Sequence, residues 1–138
     1  MRVFLDANIL VSVLNKEYPI FSYSARILSL ASHSKFEIVT SPLCLAIAFY
    51  FAEKKHRTVK AKEKIKLLCD YIEITSASKA AVSKSLNNAA VLDFEDGLEY
   101  YAALESNCKC IVTEDVSDFY FSEIEVLTSE IFCKRYLA

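Results

Sequence analysis

The sequence predicts an α/β fold with a mostly parallel sheet, and three observations carry that expectation. Five short apolar runs of strand length are spread along the chain. Longer segments with helical periodicity stand between them, and no internal repeat or low-complexity tract breaks the alternation. Two of the runs are nearly continuous in apolar residues, as strands buried on both faces of a parallel sheet are.

In chain order, Arg2–Leu5 is the first strand candidate. Residues 23–31 follow as a helix with Ile27, Leu28 and Leu30 on its apolar side. Glu37–Thr40 is the second strand; its glutamate suits a place nearer the sheet edge, where part of a strand meets water. Ser41 and Pro42 are a helix-start signal, a capping hydroxyl followed by proline in the first turn, and residues 43–52 continue as helix. Residues 58–69 form another, with Ile65, Leu68 and Cys69 on one stripe. Residues 72–75 are a strand carrying Glu73, 78–89 and 95–104 are helices, and 110–113 are a second continuous apolar strand. Residues 124–127, which carry Glu125, close the series.

With 138 residues the chain fits one domain spanning 1–138, large enough to bury roughly 68% of its unfolded surface. Hydrophobic residues make up 54% and charged residues 25%, a globular balance. Gly97 is the single glycine, which excludes a phosphate-cradling P-loop and a G-x-G-x-x-G dinucleotide turn. A net charge of −2 means that any nucleic acid must be held by a local patch or by metal ions. Five cysteines, odd in number and mostly in apolar surroundings, point to free thiols in a reducing compartment; Cys108 and Cys110 form a C-x-C with no further ligands to complete a zinc site. Asp6 ends the N-terminal apolar run too early for a signal peptide, and the apolar stretch 43–52 is far short of the ~20 residues of a membrane span. A soluble, cytoplasmic protein with no membrane partner is expected.

In open parallel sheets functional groups gather beyond the carboxyl ends of the strands. Asp6, Ala7 and Asn8 follow the first strand; Glu114, Asp115 and Asp118 follow the strand at 110–113; Asp93, Glu95 and Asp96 open the helix that feeds it. These three acidic points fall on one edge of the sheet. Clustered carboxylates repel one another and are kept most readily around a cation, and oxygen-only ligands suit Mg²⁺ or Mn²⁺. A metal so held can activate water and clamp a phosphodiester. Each acid also has a plainer use: Asp93 can cap a helix, Glu95 and Asp96 can favour its N-terminus, and Asp115 and Asp118 can be turn residues. Asp6 is harder to dismiss, because an acid directly after a buried apolar strand has little local reason to be there. Glu99 follows Asp96 on the same helix side and could reach the same centre. His33 and His56 lie away from this edge, which argues against a Ser-His-Asp triad.

Val3-Phe4-Leu5-Asp6-Ala7-Asn8 resembles the opening of a PIN domain, the fold of VapC-type toxin ribonucleases. The stretch from Asp93 to Ala103 resembles the helix carrying that family's next acid. Ile111 to Asp115 with Asp118 and Phe119 resembles its closing motif, and Ser41-Pro42-Leu43 stands where its second motif helix begins. The resemblance runs along essentially the whole chain. It implies a three-layer α/β/α fold with a central five-stranded sheet, and Asp6, Asp96 and Asp115 as catalytic metal ligands. Asn8, Ser41 and Thr113 would support them from behind. It further implies Mg²⁺- or Mn²⁺-dependent endonucleolytic cleavage of RNA, a homodimer, and restraint by a cognate antitoxin protein.

One departure stands out. Most active members of the family carry a glutamate in the helix after Ser41, near Ala46 or Ile47, and here both positions are apolar. Glu99, Glu95 or Glu114 could compensate; otherwise the chain is a catalytically impaired PIN domain that binds RNA or protein. A phosphatase or receiver with an acidic pocket is the other rival, but no well-placed lysine follows the fourth strand. Residues 54–66 hold seven lysines and arginines against one glutamate. Lys54, Lys55, Arg57 and Lys60 are candidates to hold RNA phosphates beside the acidic centre, against the simpler view of a solvated helix face.

Overall fold

The computed structural model describes residues 1–137. Strands β1 (Arg2–Leu5), β2 (Glu37–Thr40), β3 (Glu73–Ile74), β4 (Cys110–Val112) and β5 (Glu125–Leu127) form one sheet in the order β3-β2-β1-β4-β5, and every neighbouring pair is parallel. The central strand pairs Val3 with Ile38 on one side and with Cys110 on the other. Val3, Phe4 and Leu5 are all fully buried. Successive strand residues point to opposite faces, so both faces of the sheet are covered and the layering is α/β/α. The covering helices are α1 (Ala7–Leu14), α2 (Ile20–Ser29), α3 (Pro42–Cys69), α4 (Lys79–Asn87), α5 (Phe94–Glu105) and α6 (Ser129–Tyr136). Among the described residues no helix is long and apolar enough to cross a membrane. All five cysteines are free thiols.

Each of the five apolar runs is a strand, but the helices differ from expectation. α1 was not foreseen, because Ile9, Leu10, Val11, Val13 and Leu14 leave no polar face to mark a helical period. α6 was missed because eight residues are too few to establish a stripe; it is defined by Thr128, whose hydroxyl accepts the Ile131 N–H at 3.2 Å. β2 lies inside the sheet, between β1 and the edge strand β3. Its glutamate is tolerated there because Glu37 sits at the amino end, where the Arg2 guanidinium bonds Glu37 at 2.5 Å and Glu73 at 2.7 Å. That fork ties three strands together at the end of the sheet away from the acids.

The segments at 43–52 and 58–69 belong to one long run, α3, interrupted at Arg57, whose φ of 68° and ψ of 174° are not helical. That region of backbone space is essentially reserved for glycine. Farther along, Gly97 allows α5 to approach α4 closely: a Cβ there would stand 2.7 Å from Val91 Cγ1 and 3.0 Å from Ser85 Cβ.

Two substitutions test these backbone assignments. Arg57→Gly removes the strain of a side chain at positive φ and raises stability by about 1 kcal/mol. Gly97→Ala gains about 1 kcal/mol in helix propensity but overpacks a contact with a stiff β-branched neighbour at a cost of ~1–3 kcal/mol, so it lowers stability overall. Urea melts check both; a destabilised Arg57→Gly contradicts the break in α3.

Candidate active site

Backbone pairing brings the acids together. The Asp6 N–H donates to Val112 O at 3.0 Å, extending the β1–β4 ladder one residue past the strand and fixing Asp6 beside the end of β4. Asp6 is then the N-cap of α1, and its Oδ1 accepts the Ala7 N–H at 2.6 Å. Its other oxygen accepts from the Thr113 hydroxyl at 2.8 Å and lies 3.4 Å from Asn8 Nδ2. Since the Thr113 hydroxyl has one proton and gives it to Asp6, it acts as acceptor toward Asn8 Nδ2 at 3.1 Å and the Asp115 N–H at 3.0 Å. Asn8 Nδ2 also reaches Asp115 Oδ2 at 3.2 Å, while its Oδ1 accepts the Glu114 N–H at 3.2 Å. One amide and one hydroxyl thus join the end of β1 to the end of β4 and hold Asp6 and Asp115 side by side.

The third acid arrives from α5. Asp93 caps that helix, with Oδ1 accepting the Asp96 N–H at 3.2 Å, so its plainer use is the one observed. Asp96 and Glu99, one turn apart, face a cavity of about 480 Å³ that Asp6, Asn8 and Asp115 also line. Nine carboxylate side chains border it (Asp6, Glu17, Asp93, Glu95, Asp96, Glu99, Glu114, Asp115 and Asp118) and no lysine, arginine or histidine does.

Such a field shows in the protonation of its members. Asp96 is pushed up to about 7, first by burial and then by the charges of Asp93, Asp118, Asp6 and Glu95. Glu99, only 3% exposed, is pushed up to about 10. Burial is the main cause; hydrogen bonding to Asp6 and the charge of Asp6 follow, opposed by the thiol of Cys44, which donates to Glu99 Oε1 at 2.9 Å. At neutral pH Glu99 therefore keeps a proton, shared with Asp6. Burial, with the nearby Glu99 and Asp6, pushes the Cys44 thiol well up as well.

Not every candidate enters this network. Ser41 is the N-cap of α3, accepting the Cys44 N–H at 3.2 Å, and orients that helix. Ile47 lines the cavity where the expected helical acid is missing, so α3 contributes hydrocarbon there. Of the three glutamates that could compensate, Glu114 accepts from the Ser129 hydroxyl, Glu95 is exposed, and Glu99 is the one buried beside Asp6. Cys44, Glu17 and Phe51 were overlooked. Spacing offered a hint for two of them: Cys44, Ile47 and Phe51 fall at i, i+3 and i+7 on α3 and share a face. Nothing marked Glu17, which follows the unforeseen α1. The basic candidates lie beyond Phe51 on the same helix: Lys54 Nζ stands 4.2 Å above the Tyr50 ring, Lys55 Nζ donates to Asn15 O at 2.6 Å, and Arg57 and Lys60 are exposed.

Residues 2–117 match the PIN domain family. The chain belongs to that family. It is 32% identical over 139 residues to Ribonuclease VapC1 of Aquifex aeolicus, covering 98% of this chain and 95% of that protein. Solved structures of similar fold include VapBC-1 of nontypeable Haemophilus influenzae (TM-score 0.72, 17% identity, 94% of this chain and 99% of that one). VapBC2 of Rickettsia felis, solved with a DNA fragment from its promoter, is another (TM-score 0.69, 22% identity, 92% and 97% of the chains). In this PIN domain the acidic cavity lies at the carboxyl edge of the sheet, and the donor set around it, all carboxylate oxygen apart from one buried thiol behind, fits a divalent cation.

The raised carboxyls give a pH dependence of definite sign. Asp96 and Glu99 hold protons in the fold that the unfolded chain releases near their ordinary values of 3.8 and 4.5. Their contribution is complete below pH ~4 and is lost as pH rises, toward 7 for Asp96 and toward 10 for Glu99. Metal-free protein therefore loses stability between pH 5 and 8. Glu99→Gln, which imitates the protonated acid, loses less over that range, the difference reaching at most about 1.4 kcal/mol per pH unit. Parallel curves for the two proteins would contradict a protonated Glu99.

Proposed function

We propose that this chain is a PIN-type endoribonuclease dependent on Mg²⁺ or Mn²⁺ and the toxin of a toxin–antitoxin pair, with residues 1–138 acting as one unit. The carrying observation is the cavity, where nine carboxylates meet without a basic side chain in a chain 32% identical to a protein named a ribonuclease. Asp6, Asp96 and Asp115 are the proposed ligands, with Glu99 as a fourth. A cation bound there supplies Lewis-acid polarisation of the phosphodiester and makes water a better nucleophile at neutral pH.

The remaining work falls to the chain's own groups. Asn8 and Thr113 keep Asp6 and Asp115 aimed at a common point, which spares them reorganisation when substrate binds. Phosphate is repelled by an acidic cavity, so RNA needs cations at its rim. Lys54, Lys55, Arg57 and Lys60 meet that need: Phe51 lines the cavity, and Lys54 Nζ stands 5.8 Å above the Phe51 ring. The patch is wider than these four. Lys64 is pulled below its ordinary value by burial and then by Lys60, Lys16 and Lys55, which places all of them in one field.

By likeness to VapBC assemblies we assign the protein an antitoxin partner. A homodimeric state and a place in the cytoplasm are assigned on the family resemblance alone. Ile47 in place of a carboxylate favours one other reading, an impaired PIN domain that binds RNA or protein without cutting.

Purified protein is expected to cleave RNA with Mg²⁺ or Mn²⁺ and to stop in chelator. Asp6→Asn and Asp115→Asn each lose about a hundredfold or more, since cation charge stabilisation is worth several kcal/mol. Asn8→Ala loses ~10–100-fold with its fold intact by circular dichroism. Cleavage that survives chelation rejects the mechanism; cation binding without cleavage selects the impaired reading. Replacing Lys54, Arg57 and Lys60 by glutamine weakens RNA binding and flattens its dependence on salt, read by fluorescence anisotropy. An unchanged slope makes the patch a solvated face.

A further inference from the structure

Asp6, Glu99 and Cys44 differ from the rest of the cavity. Each offers one ligand atom, and these atoms all lie within 4.8 Å of one another. All three residues are buried, Cys44 completely, Glu99 to 3% exposure and Asp6 to 8%. The outer acids Asp93, Glu95, Asp115 and Asp118 are exposed, and Asp96 is half-buried. Glu99 Oε1 accepts from the Cys44 thiol at 2.9 Å, and among the described residues no hydrogen-bond donor reaches its other oxygen.

We infer that Asp6, Glu99 and Cys44 form an inner cation subsite of mixed oxygen and sulfur character, which takes a thiophilic divalent ion such as Zn²⁺ or Cd²⁺ in preference to Mg²⁺. The inference rests on the cavity being a cation site, as proposed above. A tetrahedral ion with ligand bonds of ~2.0–2.3 Å separates its ligand atoms by roughly 3.5 Å, so no pair of these atoms, all within 4.8 Å of one another, has to shift by much more than about 1 Å. Thiolate sulfur selects Zn²⁺ and similar ions, while carboxylate and water suit Mg²⁺. Binding is balanced by proton release: the carboxyl proton of Glu99 and the thiol proton of Cys44 leave to solvent as the ion enters, and the Cys44–Glu99 hydrogen bond is replaced by two bonds to the ion. Asp6 belongs to both the inner and the outer ligand sets. A thiophilic ion held inside therefore competes with the working cation for Asp6 and inhibits cleavage.

The test titrates the full-length reduced protein with Cd²⁺ and follows the ultraviolet thiolate-to-metal charge-transfer band. A component saturating at one ion per chain is expected, and Cys44→Ser abolishes it while leaving any signal from Cys69, Cys108, Cys110 and Cys133. Glu99→Gln and Asp6→Asn keep the thiol but weaken that component about tenfold or more, and they serve if Cys44→Ser fails to fold. Zn²⁺ displaces the bound Cd²⁺, whereas Mg²⁺ at the same concentration does not. A band identical in wild type and Cys44→Ser, no saturable band, or equal displacement by Mg²⁺ overturns the inference. RNA cleavage by Cd²⁺-free aliquots of the same proteins, supplied with Mn²⁺ alone, keeps the two proposals apart. Mn²⁺-supported cleavage with no Cys44-dependent band sinks the inner subsite alone, and the band without cleavage sinks the nuclease alone.

Discussion

Asp6 and Glu99 meet at 8% and 3% exposure, and two ionised carboxylates 4 Å apart would repel by about 4 kcal/mol at an effective dielectric near 20. Much of the local structure can be understood as an answer to that repulsion. Asp6 receives a backbone N–H, a hydroxyl and an amide. Glu99 takes the opposite course and stays protonated, with a thiol donor on its far side. The fold thus tolerates the pair, although among the described residues no basic side chain lines the cavity.

The parallel sheet makes the crowding possible. Parallel strands all finish at the same edge, so whatever follows β1 and β4 is delivered to one place, and hydrogen bonding of those adjacent strands sets Asp6 and Thr113 within reach of each other. Acids and bases are sorted to opposite ends of β1: Arg2 binds Glu37 and Glu73 at one end, and Asp6 enters the cavity at the other. The basic patch stands outside, on the stretch of α3 where the helix breaks at Arg57. A protein of net charge −2 can therefore present an acidic hollow and a basic rim a few helical turns apart.

Ile47 and Glu99 border the same cavity from different helices. Where the family resemblance implies an acid on α3 the cavity has the hydrocarbon of Ile47, and the buried acid beside Asp6 comes from α5. Glu99 lies one turn beyond Asp96 on α5, is more deeply buried than it, and meets Cys44 of α3. Burial raises Glu99 and Cys44 together, so the inner part of the site binds protons more tightly than the outer part.

The sequence by itself determined the class of fold, the five strands, the caps at Ser41 and Asp93, and the edge on which Asp6, Asp96 and Asp115 meet. Those features are written locally, in apolar runs and in the polar residues directly after them. It did not determine α1, whose uniform burial erased its periodicity, or the interior place of β2, which depends on Arg2 neutralising a glutamate from another strand. Nor could it decide among Glu95, Glu99 and Glu114, which differ in burial and in partners far along the chain. Only the tertiary structure set Glu99 beside Asp6 and Cys44, 93 and 55 positions away in sequence. Contacts of that kind arise from how α3 and α5 approach the sheet, and no spacing within either helix records it.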